Sequence, residues 1–548
     1  MHKESDERMA GVKPAICEVV KLLRSQMYFE GNKHLRDLIG KLENVSAYVL
    51  ENRKDELPVW LTVLQALLQA QGNGDYVLVA DVLESELWLF LEGTLESVQE
   101  VKEVSLAEYW EENISCLEEA DKKLCDRIVR DCLNEETDDT LQFEPLLAKS
   151  GQLTLAVRNG EQVFCMHSTA DPTQEAKALV EGIEKSVINE YTVLGMGLGY
   201  HVKAFLDTNA QAKVTVLEHR IEALYLALTY MDWTSYIENG KLHIVYESDE
   251  LALLKRLQDI KKDAVFFLHY PSLRCISNGE IREKLEDFFV TVSSMREQKH
   301  YLESNFAYLQ SLKLEECSRL RTHFQGKKVV IVAGGPSVDD EMESIKKYRD
   351  EITVFAVGTI VRKLLANEIY PDVIVITDPQ ETMYKQVLDL DLAKIPLILL
   401  STASKSVMEY YKGPVFLAYQ DGYDMAEKVA IENGYPLFLT GGSVTTTALD
   451  ISIQFGASEI ILVGTDLAFT NNLSHAKGVG REIEDKAGLR QVLSVTGGVV
   501  YTSKNLDIYR KWIEHRIEGL QTPVIYNTSS GARIKGTIER RLEEIMTK

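Results

Sequence analysis

Six short apolar runs between residues 329 and 463 alternate with segments of helical pattern. The runs span residues 329–333, 352–357, 373–377, 397–400, 415–418 and 460–463. Runs of this length are typical of strands that are buried on both faces, and the periodicity between them predicts helices. Such regular alternation predicts a parallel sheet covered by helices, with ligands bound at the carboxyl ends of the strands. This part of the chain is therefore predicted to be a doubly wound, Rossmann-like α/β domain.

The first of these runs ends in a glycine turn. The turn consists of Gly334, Gly335, Pro336 and Ser337, and a helical pattern follows over residues 338–348. Glycine lets the backbone approach a ligand closely, and a helix N-terminus presents unpaired N–H groups and the positive end of a dipole to an anion. The turn is predicted to bind a phosphate group. An ordinary strand-to-helix turn has the same pattern, so the residues at the other strand ends must distinguish a phosphate-binding turn from an ordinary one.

Polar residues follow further strands at the same predicted edge. They are Thr377, Asp378, Thr440, Gly441, Gly442, Ser443, Thr465, Asp466 and, nine residues later, His475. Taken singly, Ser337 and Ser443 are explained as helix caps worth about 1 kcal/mol each. Taken together, two glycine–hydroxyl turns can hold a phosphate while a carboxylate or imidazole removes a proton from an acceptor hydroxyl. The combination predicts a catalytic site.

Composition limits the class of protein. A chain of 548 residues is expected to form two to four domains. Its formal charge of −24 argues against nucleic acid or an anionic membrane as a partner. Seven scattered cysteines without a C-x-x-C pair indicate reduced thiols. The polar N-terminus has no secretion-signal pattern, and no apolar run reaches the ~18 residues of a membrane span. A cytoplasmic protein is expected.

Several chemistries have no motif in this chain. No H-E-x-x-H, D-x-D series or Cys/His array indicates a metal site, so no metal ligands are predicted. The Walker signature G-x-x-x-x-G-K-[ST] and the G-x-S-x-G nucleophile elbow are also missing. Ordinary P-loop ATP chemistry and serine hydrolysis are therefore not expected.

The first half of the chain divides into two predicted regions. Residues 1–135 have amphipathic helical periodicity and are predicted to be a helical scaffold or protein-binding domain. Residues 140–300 begin with a predicted Asn159-Gly160 hairpin and continue into a G-x-G-x-G turn from Gly195 to Gly199, followed by Glu218. This order predicts a second Rossmann-like domain, whose turn either binds a nucleotide-like cofactor or is purely structural. A connecting helix (301–325) and the catalytic domain (326–548), with a helical C-terminal portion, complete the expected organisation.

An ordered set of motifs resembles the motility accessory factor proteins. The set comprises Leu147–Ser150 with Gly151, His167-Ser168, Asp171-Pro172-x-x-Glu175-Ala176, Gly195–His201, the turn at 334–337, Asp378-Pro379, Gly464–Ala468, Ser474-His475-Ala476 and Ile534–Thr537. The likeness covers about residues 145–545. The central domain of that family is similar to bacterial sialyltransferases that use CMP-sialic acid.

The resemblance implies an inverting glycosyltransferase that acts on flagellin. The enzyme would move a nonulosonic acid of the pseudaminic or legionaminic type from its CMP-activated form to Ser or Thr of flagellin. Gly335-Pro336-Ser337 and Gly442-Ser443 fall where the sialyltransferases hold CMP. The resemblance implies no cofactor beyond the CMP-sugar donor, although a divalent ion is allowed.

One departure from the sialyltransferase pattern affects the predicted base. Those enzymes place a catalytic histidine before a Ser-Lys-Asn-x-Asp run, whereas this chain has Thr502 before Ser503-Lys504-Asn505-Leu506-Asp507. A threonine hydroxyl cannot act as a base near neutral pH, so His475 or Asp466 is predicted instead. The usual imidazole pKa of about 6.5 favours His475. Lys477 or Lys504 is predicted to neutralise a carboxylate or phosphate.

Two other functions fit the same sequence. The central domain also resembles archaeal 6-hydroxymethylpterin diphosphokinases, which would use ATP and Mg²⁺. A non-catalytic flagellar assembly factor, which binds flagellin through its helices and keeps a vestigial cleft, is the third possibility.

Overall fold

The computed structural model describes most of the chain. The described residues are 11–93, 107–133, 141–181, 183, 189–260, 264–473, 476, 486 and 489–547. They form two compact units, Met1–Phe289 and Val290–Lys548. No helix in the described ranges is both long enough and apolar enough to cross a membrane.

The first unit opens with helices that pack on one another. They are α1 (Val12–Arg24), α2 (Tyr28–Asn52), α3 (Leu57–Gly72), α4 (Tyr76–Val82) and α5 (Trp88–Glu92), followed by α6 (Trp110–Ala120) and α7 (Lys122–Leu133). The apolar side chains of α1 to α5 form one buried cluster around Trp60. Those of α6 and α7, including Leu117 and Ile128, are buried against the parallel sheet of the same unit instead. The helical region expected from the sequence is therefore present. Its first five helices form a hydrophobic core of their own, and its last two contribute to the core of the parallel sheet.

Two sheets follow in the first unit. An antiparallel sheet joins β1 (Leu141–Leu147), β2 (Leu153–Asn159) and β3 (Gln162–Cys165), and the predicted hairpin pairs Asn159 with Gln162. After α8 (Pro172–Glu181), the parallel sheet has the order β6-β5-β4-β7. Its elements are β4 (Glu190–Leu194), α9 (Tyr200–Leu206), β5 (Lys213–Glu218), α10 (Ile221–Tyr230), α11 (Thr234–Glu238), β6 (Leu242–Tyr246), α12 (Glu250–Lys255), β7 (Val265–Leu268) and α13 (Tyr270–Leu273). This order makes the sheet Rossmann-like, as predicted.

The long helix α14 (Gly279–Ser311) leads into the second unit. The sequence predicted a connecting helix over 301–325, but the structure ends the helix at Ser311 and continues with β8 (Glu315–Glu316) and a 3₁₀ turn over Cys317–His323. Lys313, just past the helix, has a left-handed backbone with a φ of 50°. An α-helix cannot pass through that conformation, so the chain turns away.

The second unit is built on a ten-stranded parallel sheet with the order β14-β13-β12-β11-β10-β9-β15-β18-β19, in which β8 also pairs with β13. Its strands are β9 (Lys328–Val332), β10 (Thr353–Val357), β11 (Val373–Ile376), β12 (Leu397–Leu400), β13 (Val415–Gln420), β14 (Leu437–Phe438), β15 (Glu459–Val463), β18 (Val524–Asn527) and β19 (Ile538–Glu539). The helices between them are α15 (Met342–Lys347), α16 (Val361–Ala366), α17 (Val407–Tyr410), α18 (Asp424–Asn433) and α19 (Val444–Gln454). A hairpin of β16 (Arg490–Leu493) and β17 (Val499–Thr502), then α20 (Lys504–Ile517) and α21 (Leu542–Met546), complete the unit.

The chain leaves the middle of this sheet in both directions, so the domain is doubly wound as predicted. Strands β10 to β14 lie on one side of β9, and β15, β18 and β19 lie on the other. Ligands in open α/β sheets bind at this reversal, outside the carboxyl ends of the two central strands. The reversal therefore places any site between the ends of β9 and β15.

Candidate functional site

The segment after β9 differs from the helix expected there. The sequence predicted a helix over 338–348, whereas the structure has a 3₁₀ turn at Pro336–Asp340 and then the six-residue helix α15. Between them stands Glu341, whose buried carboxylate lies 2.7 Å from the Arg541 guanidinium. A 3₁₀ turn has poorer hydrogen-bond geometry and little summed dipole. An anion at this turn would thus depend on individual N–H groups and not on a long helix.

The turn after β9 is bonded directly to the loop after β15. The Ser337 amide and hydroxyl both donate to Asp466 Oδ2, at 3.1 and 2.8 Å. Thr470 Oγ1 donates to Asp466 Oδ1 at 2.8 Å, and the Gly335 amide donates to the Gly464 carbonyl at 2.8 Å. The structure therefore brings the predicted residues Gly335, Ser337 and Asp466 into one cluster.

Asp466 is 2% exposed. Burial raises the pKa of its carboxyl, while the hydrogen bonds from Ser337 and Thr470 act in the opposite direction. Since Ser337 directs both of its donors to this carboxylate, neither is directed at a ligand in this conformation. The contacts make Asp466 the residue that fixes the shape of the turn.

The second glycine turn, residues 440–443, lies at the same edge of the sheet. It follows β14, which is parallel to its neighbour, and starts α19, which packs against β9, β10, β11 and β14. The Ser443 hydroxyl accepts a hydrogen bond from the Thr445 amide, and Thr446 completes a capping box. Gly442 is exposed and has a φ of 83°. An eleven-residue helix thus presents its N-terminus beside an exposed glycine, which is the geometry expected of an anion site.

Helix α20 covers this second turn. Trp512 lies against Gly441 and Tyr509 against Gly442, so a side chain on either glycine would collide with a ring. Burial raises the pKa of Tyr509, and the Asp378 carboxylate raises it further. The Asp378 carboxylate, which follows β11 beside Thr377, therefore acts electrostatically on Tyr509, which contacts the turn at 440–443. Neither aromatic residue was singled out by the sequence analysis, because nothing in the sequence spacing links α20 to the turn.

Thr502 stands where the resemblance implied a catalytic histidine. It is fully buried, and its hydroxyl donates to the Leu467 carbonyl at 2.8 Å. This contact holds the end of β17 on the loop that carries Asp466, with Lys504 two residues further on at the start of α20. Position 502 is therefore next to the candidate site, but its threonine has a supporting role.

A group of cations surrounds one buried carboxylate at the start of α20. Asp507 is 1% exposed and lies within 3.2 Å of Arg490, Arg510 and Lys511. Burial acts to raise the pKa of Asp507, but the neighbouring cations bring it below its usual value. Glu514 pairs with Arg510 at 2.6 Å. Among the described residues, three cations and two carboxylates are thus grouped at the start of α20.

The sequence analysis missed further polar groups at these strand ends. Thr465 Oγ1 and Asn527 Nδ2 are buried and have no hydrogen-bond partner in the structure. Asn305, on α14, donates to the carbonyls of Pro379 and Thr402 at 2.9 and 3.2 Å and joins the ends of β11 and β12. A single asparagine in a helix carries no motif that could have revealed this contact. His475 and Lys477 lie outside the described residues, so their predicted roles stay predictions.

The glycine turn of the first unit is occupied by side chains of its own unit. The Leu198 amide donates to His167 Nε2 at 2.9 Å, and the Met196 amide donates to Glu218 Oε2 at 2.6 Å. A Cβ at Gly197, whose φ is 51°, would collide with His167. Glu218 Oε1 also accepts from the amides of His219 and Arg220. The carboxylate expected to contact a ribose is therefore engaged with the backbone, which fits the structural interpretation of this turn.

Burial of His201 beside this turn gives a pH prediction for the metal-free chain. Burial lowers its pKa to about 4, although the Gly195 carbonyl and Glu218 act to raise it. Between pH 6.5 and 4 the unfolded chain binds a proton that the folded chain does not, so the free energy of unfolding falls as the pH falls. A difference of about 2.5 pKa units corresponds to about 3 kcal/mol. Hydrogen exchange of residues 191–206, corrected for intrinsic rates, should show this loss, and the His201→Gln variant should show a smaller one. An equal pH dependence in both proteins would contradict the assignment.

Comparison with known families agrees with this architecture. Residues 117–270 match the family model described as the glycosyltransferase Maf N-terminal domain. This region is similar to the N-terminal domain of the Maf glycosyltransferases. The resemblance to the motility accessory factors is thereby confirmed. Residues 301–472 match a second model, described as 6-hydroxymethylpterin diphosphokinase MptE-like.

A solved structure is similar to this chain over much of its length. It is described as a MAf glycosyltransferase from Magnetospirillum magneticum AMB-1, with 16% identity, a TM-score of 0.39, and coverage of 79% of this chain and 74% of the other. No curated protein sequence matches the chain.

Proposed function

We propose that this protein transfers a nonulosonic acid, of the pseudaminic or legionaminic type, from a CMP-activated donor to Ser or Thr of flagellin. The observation that carries the proposal is the meeting of the turn at 334–337 with Asp466 at the reversal of the second sheet. The match of residues 117–270 to the Maf glycosyltransferases supports the class of reaction. The donor and the acceptor come from the family resemblance.

The turn at 440–443 is the part of the proposed site that suits the phosphate of CMP. Its helix is long enough to carry a dipole, Gly442 is exposed, and Ser443 is half-buried. Negative charge grows on the phosphate as its bond to the anomeric carbon of the sugar breaks. Fixed N–H groups stabilise that charge, and removal of one such donor in other enzymes lowers the rate by about 10²–10³.

Asp466 acts in this proposal as a positioning residue. Its two carboxylate oxygens accept from Ser337 and Thr470, and it is almost fully buried. A base must instead reach the hydroxyl of a protein acceptor. His475 takes that role: its neutral imidazole accepts the proton as the acceptor oxygen bonds to the anomeric carbon, with inversion of configuration. Lys504 or Lys477 balances the charge of the donor.

Two substitutions test the proposed roles. We expect Ser337→Ala to lower the transfer rate by about 10- to 10²-fold, because a hydrogen bond to a charged group contributes about 1.5–3 kcal/mol. His475→Ala should lower it by about 10²–10⁴, the usual contribution of a general base. The measurement is transfer of labelled sugar from the CMP donor to flagellin. The control is His515→Ala, since His515 is 88% exposed. Full transfer by both variants with unchanged donor affinity would rule out the assigned site.

The MptE-like match favours one alternative reaction, pyrophosphoryl transfer to a pterin. The substrates separate the two reactions: ATP, Mg²⁺ and 6-hydroxymethylpterin in one assay, and CMP-sugar with flagellin in the other. Calorimetric titration with CMP separates both from a non-catalytic assembly factor, because a vestigial site should show no binding. Transfer that persists in excess EDTA would support the view that no divalent ion is required.

A further inference from the structure

We propose that the first unit binds a divalent transition-metal ion of the zinc class at His167, His201 and His269. The candidate ligand nitrogens of these three histidines lie within 4.8 Å of one another, and all three side chains are buried. His269 directly follows β7, and His201 belongs to α9, which follows β4. Since β4 and β7 are neighbours at the reversal of this sheet, the cluster occupies the crevice where such folds bind ligands.

Two of the imidazole nitrogens in this cluster have no partner. His201 Nε2 lies 2.8 Å from the Gly195 carbonyl, so Nε2 carries the proton and Nδ1 carries a lone pair. His269 Nδ1 lies 2.8 Å from Ser272 Oγ, which leaves Nε2. Both His201 Nδ1 and His269 Nε2 are buried without a hydrogen bond. Leaving such atoms unsatisfied costs free energy, and a metal ion would satisfy both.

The contacts of these rings also resemble the outer shell of a metal site. Metal-bound histidines usually donate the N–H of the other ring nitrogen to a carbonyl or another acceptor, as His201 does to Gly195. Imidazole ligands suit zinc, copper, nickel or iron, and not magnesium or calcium.

Binding requires a small rearrangement of the rings. Zinc–imidazole bonds of about 2.0–2.1 Å bring the ligand nitrogens to roughly 3.3 Å apart in a tetrahedral site, so the rings must move closer together. His201 and His269 are stacked at a centroid distance of 4.2 Å and must tilt. His167 Nε2 would exchange its hydrogen bond from Leu198 for the ion. Because the three side chains are at most 1% exposed, the ion would be shielded from bulk solvent, and it would join the ends of β4 and β7 to the segment after β3.

Metal content of the full-length chain, produced without a histidine tag, tests the proposal. After removal of metal with a chelator and addition of Zn²⁺ alone, we expect about one tightly bound ion per chain. The double variant His201→Gln/His269→Gln should lose this ion, whereas His243→Gln should keep it, because His243 is exposed on β6. Equal zinc content in the double variant and the wild type would overturn the proposal, as would a wild-type chain that binds no zinc.

X-ray absorption of the zinc-loaded wild type gives a second test that needs no variant. The expected signature is imidazole nitrogen at about 2.0–2.1 Å with outer-shell scattering from three rings. Sulfur ligands, or fewer than three imidazoles, would overturn the proposal even if the variants fail to fold. Neither measurement depends on transfer activity, so a failure of the proposed glycosyl transfer leaves this test intact.

Discussion

Replacement of Gly335 by alanine is expected to reduce glycosyl transfer by about 10² or more. A Cβ at this position would lie less than 3.0 Å from Asp466 Oδ2 and from the Gly464 carbonyl oxygen. The carbonyl belongs to the backbone and the carboxylate is held by Ser337 and Thr470, so neither can move away cheaply. The turn after β9 must therefore shift, and a displacement of about 1 Å in an active site commonly costs about 10²-fold in rate.

The matched control for this substitution is Gly498→Ala. Gly498 also lies in the second unit, and the nearest atom to its Cβ would be Ser494 Oγ at 3.9 Å. We expect transfer within about twofold of the wild type, since surface substitutions away from such contacts change stability by no more than about 0.5 kcal/mol. Initial rates at saturating acceptor, together with calorimetric titration of CMP, provide the comparison. Equal rates for Gly335→Ala and Gly498→Ala would remove the turn at 334–337 from the site.

The strands of the second unit could be predicted because parallel strands are continuous apolar runs. The predicted run 397–400 has the same bounds as β12. The predicted runs that begin at 329, 352 and 460 begin one residue away from the starts of β9, β10 and β15. The short strand β14 was expected only as the strand end before Thr440, and the late strand β18 (Val524–Asn527) was missed. Two residues give no periodicity, and β18 alternates buried with half-buried positions, so neither resembles a buried run. Strand order is a tertiary property that the motif spacing does not contain.

The candidate site shows a different limit of sequence reasoning. Gly335, Ser337 and Asp466 were singled out as separate turn residues, and the structure bonds them together. What the sequence could not reveal is the direction of those bonds: Ser337 donates to Asp466, where a ligand phosphate had been expected. Likewise, His167 and His201 lie within quoted motifs, but His269 is 68 residues beyond His201. A cluster assembled from three distant strand ends has no linear signature.

Replacement of Arg24 by methionine is expected to destabilise the first unit by about 3–5 kcal/mol, the usual cost of removing one partner from a buried ion pair. Arg24, on α1, is 8% exposed and lies 2.6 Å from Asp81 on α4, which is 2% exposed. Asp81 also accepts hydrogen bonds from Ser168 and Thr169. The pair therefore ties the N-terminal helices to the segment that follows β3.

Glu175, on α8, is a second buried carboxyl group beside Arg24. Its pKa is raised to about 8 by burial, while Arg24, 3.9 Å away, acts to lower it. Without the guanidinium the pKa of Glu175 rises further. Glu175 then stays protonated, and therefore uncharged, up to a higher pH. In the variant the Asp81 carboxylate keeps three hydrogen bonds from Ser168 and Thr169 but loses the Arg24 guanidinium. The uncompensated charge of Asp81 is thus the main source of the loss.

The control for Arg24→Met is Lys13→Met, which removes an exposed ion pair between Lys13 and Glu92, at 40% and 38% exposure. Exposed pairs contribute about 0–1 kcal/mol, so this variant should unfold almost like the wild type. In calorimetry, 3–5 kcal/mol should lower the midpoint of the first unit's transition by roughly 6–15 °C. Hydrogen exchange assigns the loss to the correct unit, since peptides from α1, α4 and residues 166–181 should lose protection together. Loss of protection in α1 alone would contradict this prediction. Arg24 would then stabilise only its own helix, and apolar contacts would hold the N-terminal helices on the rest of the unit.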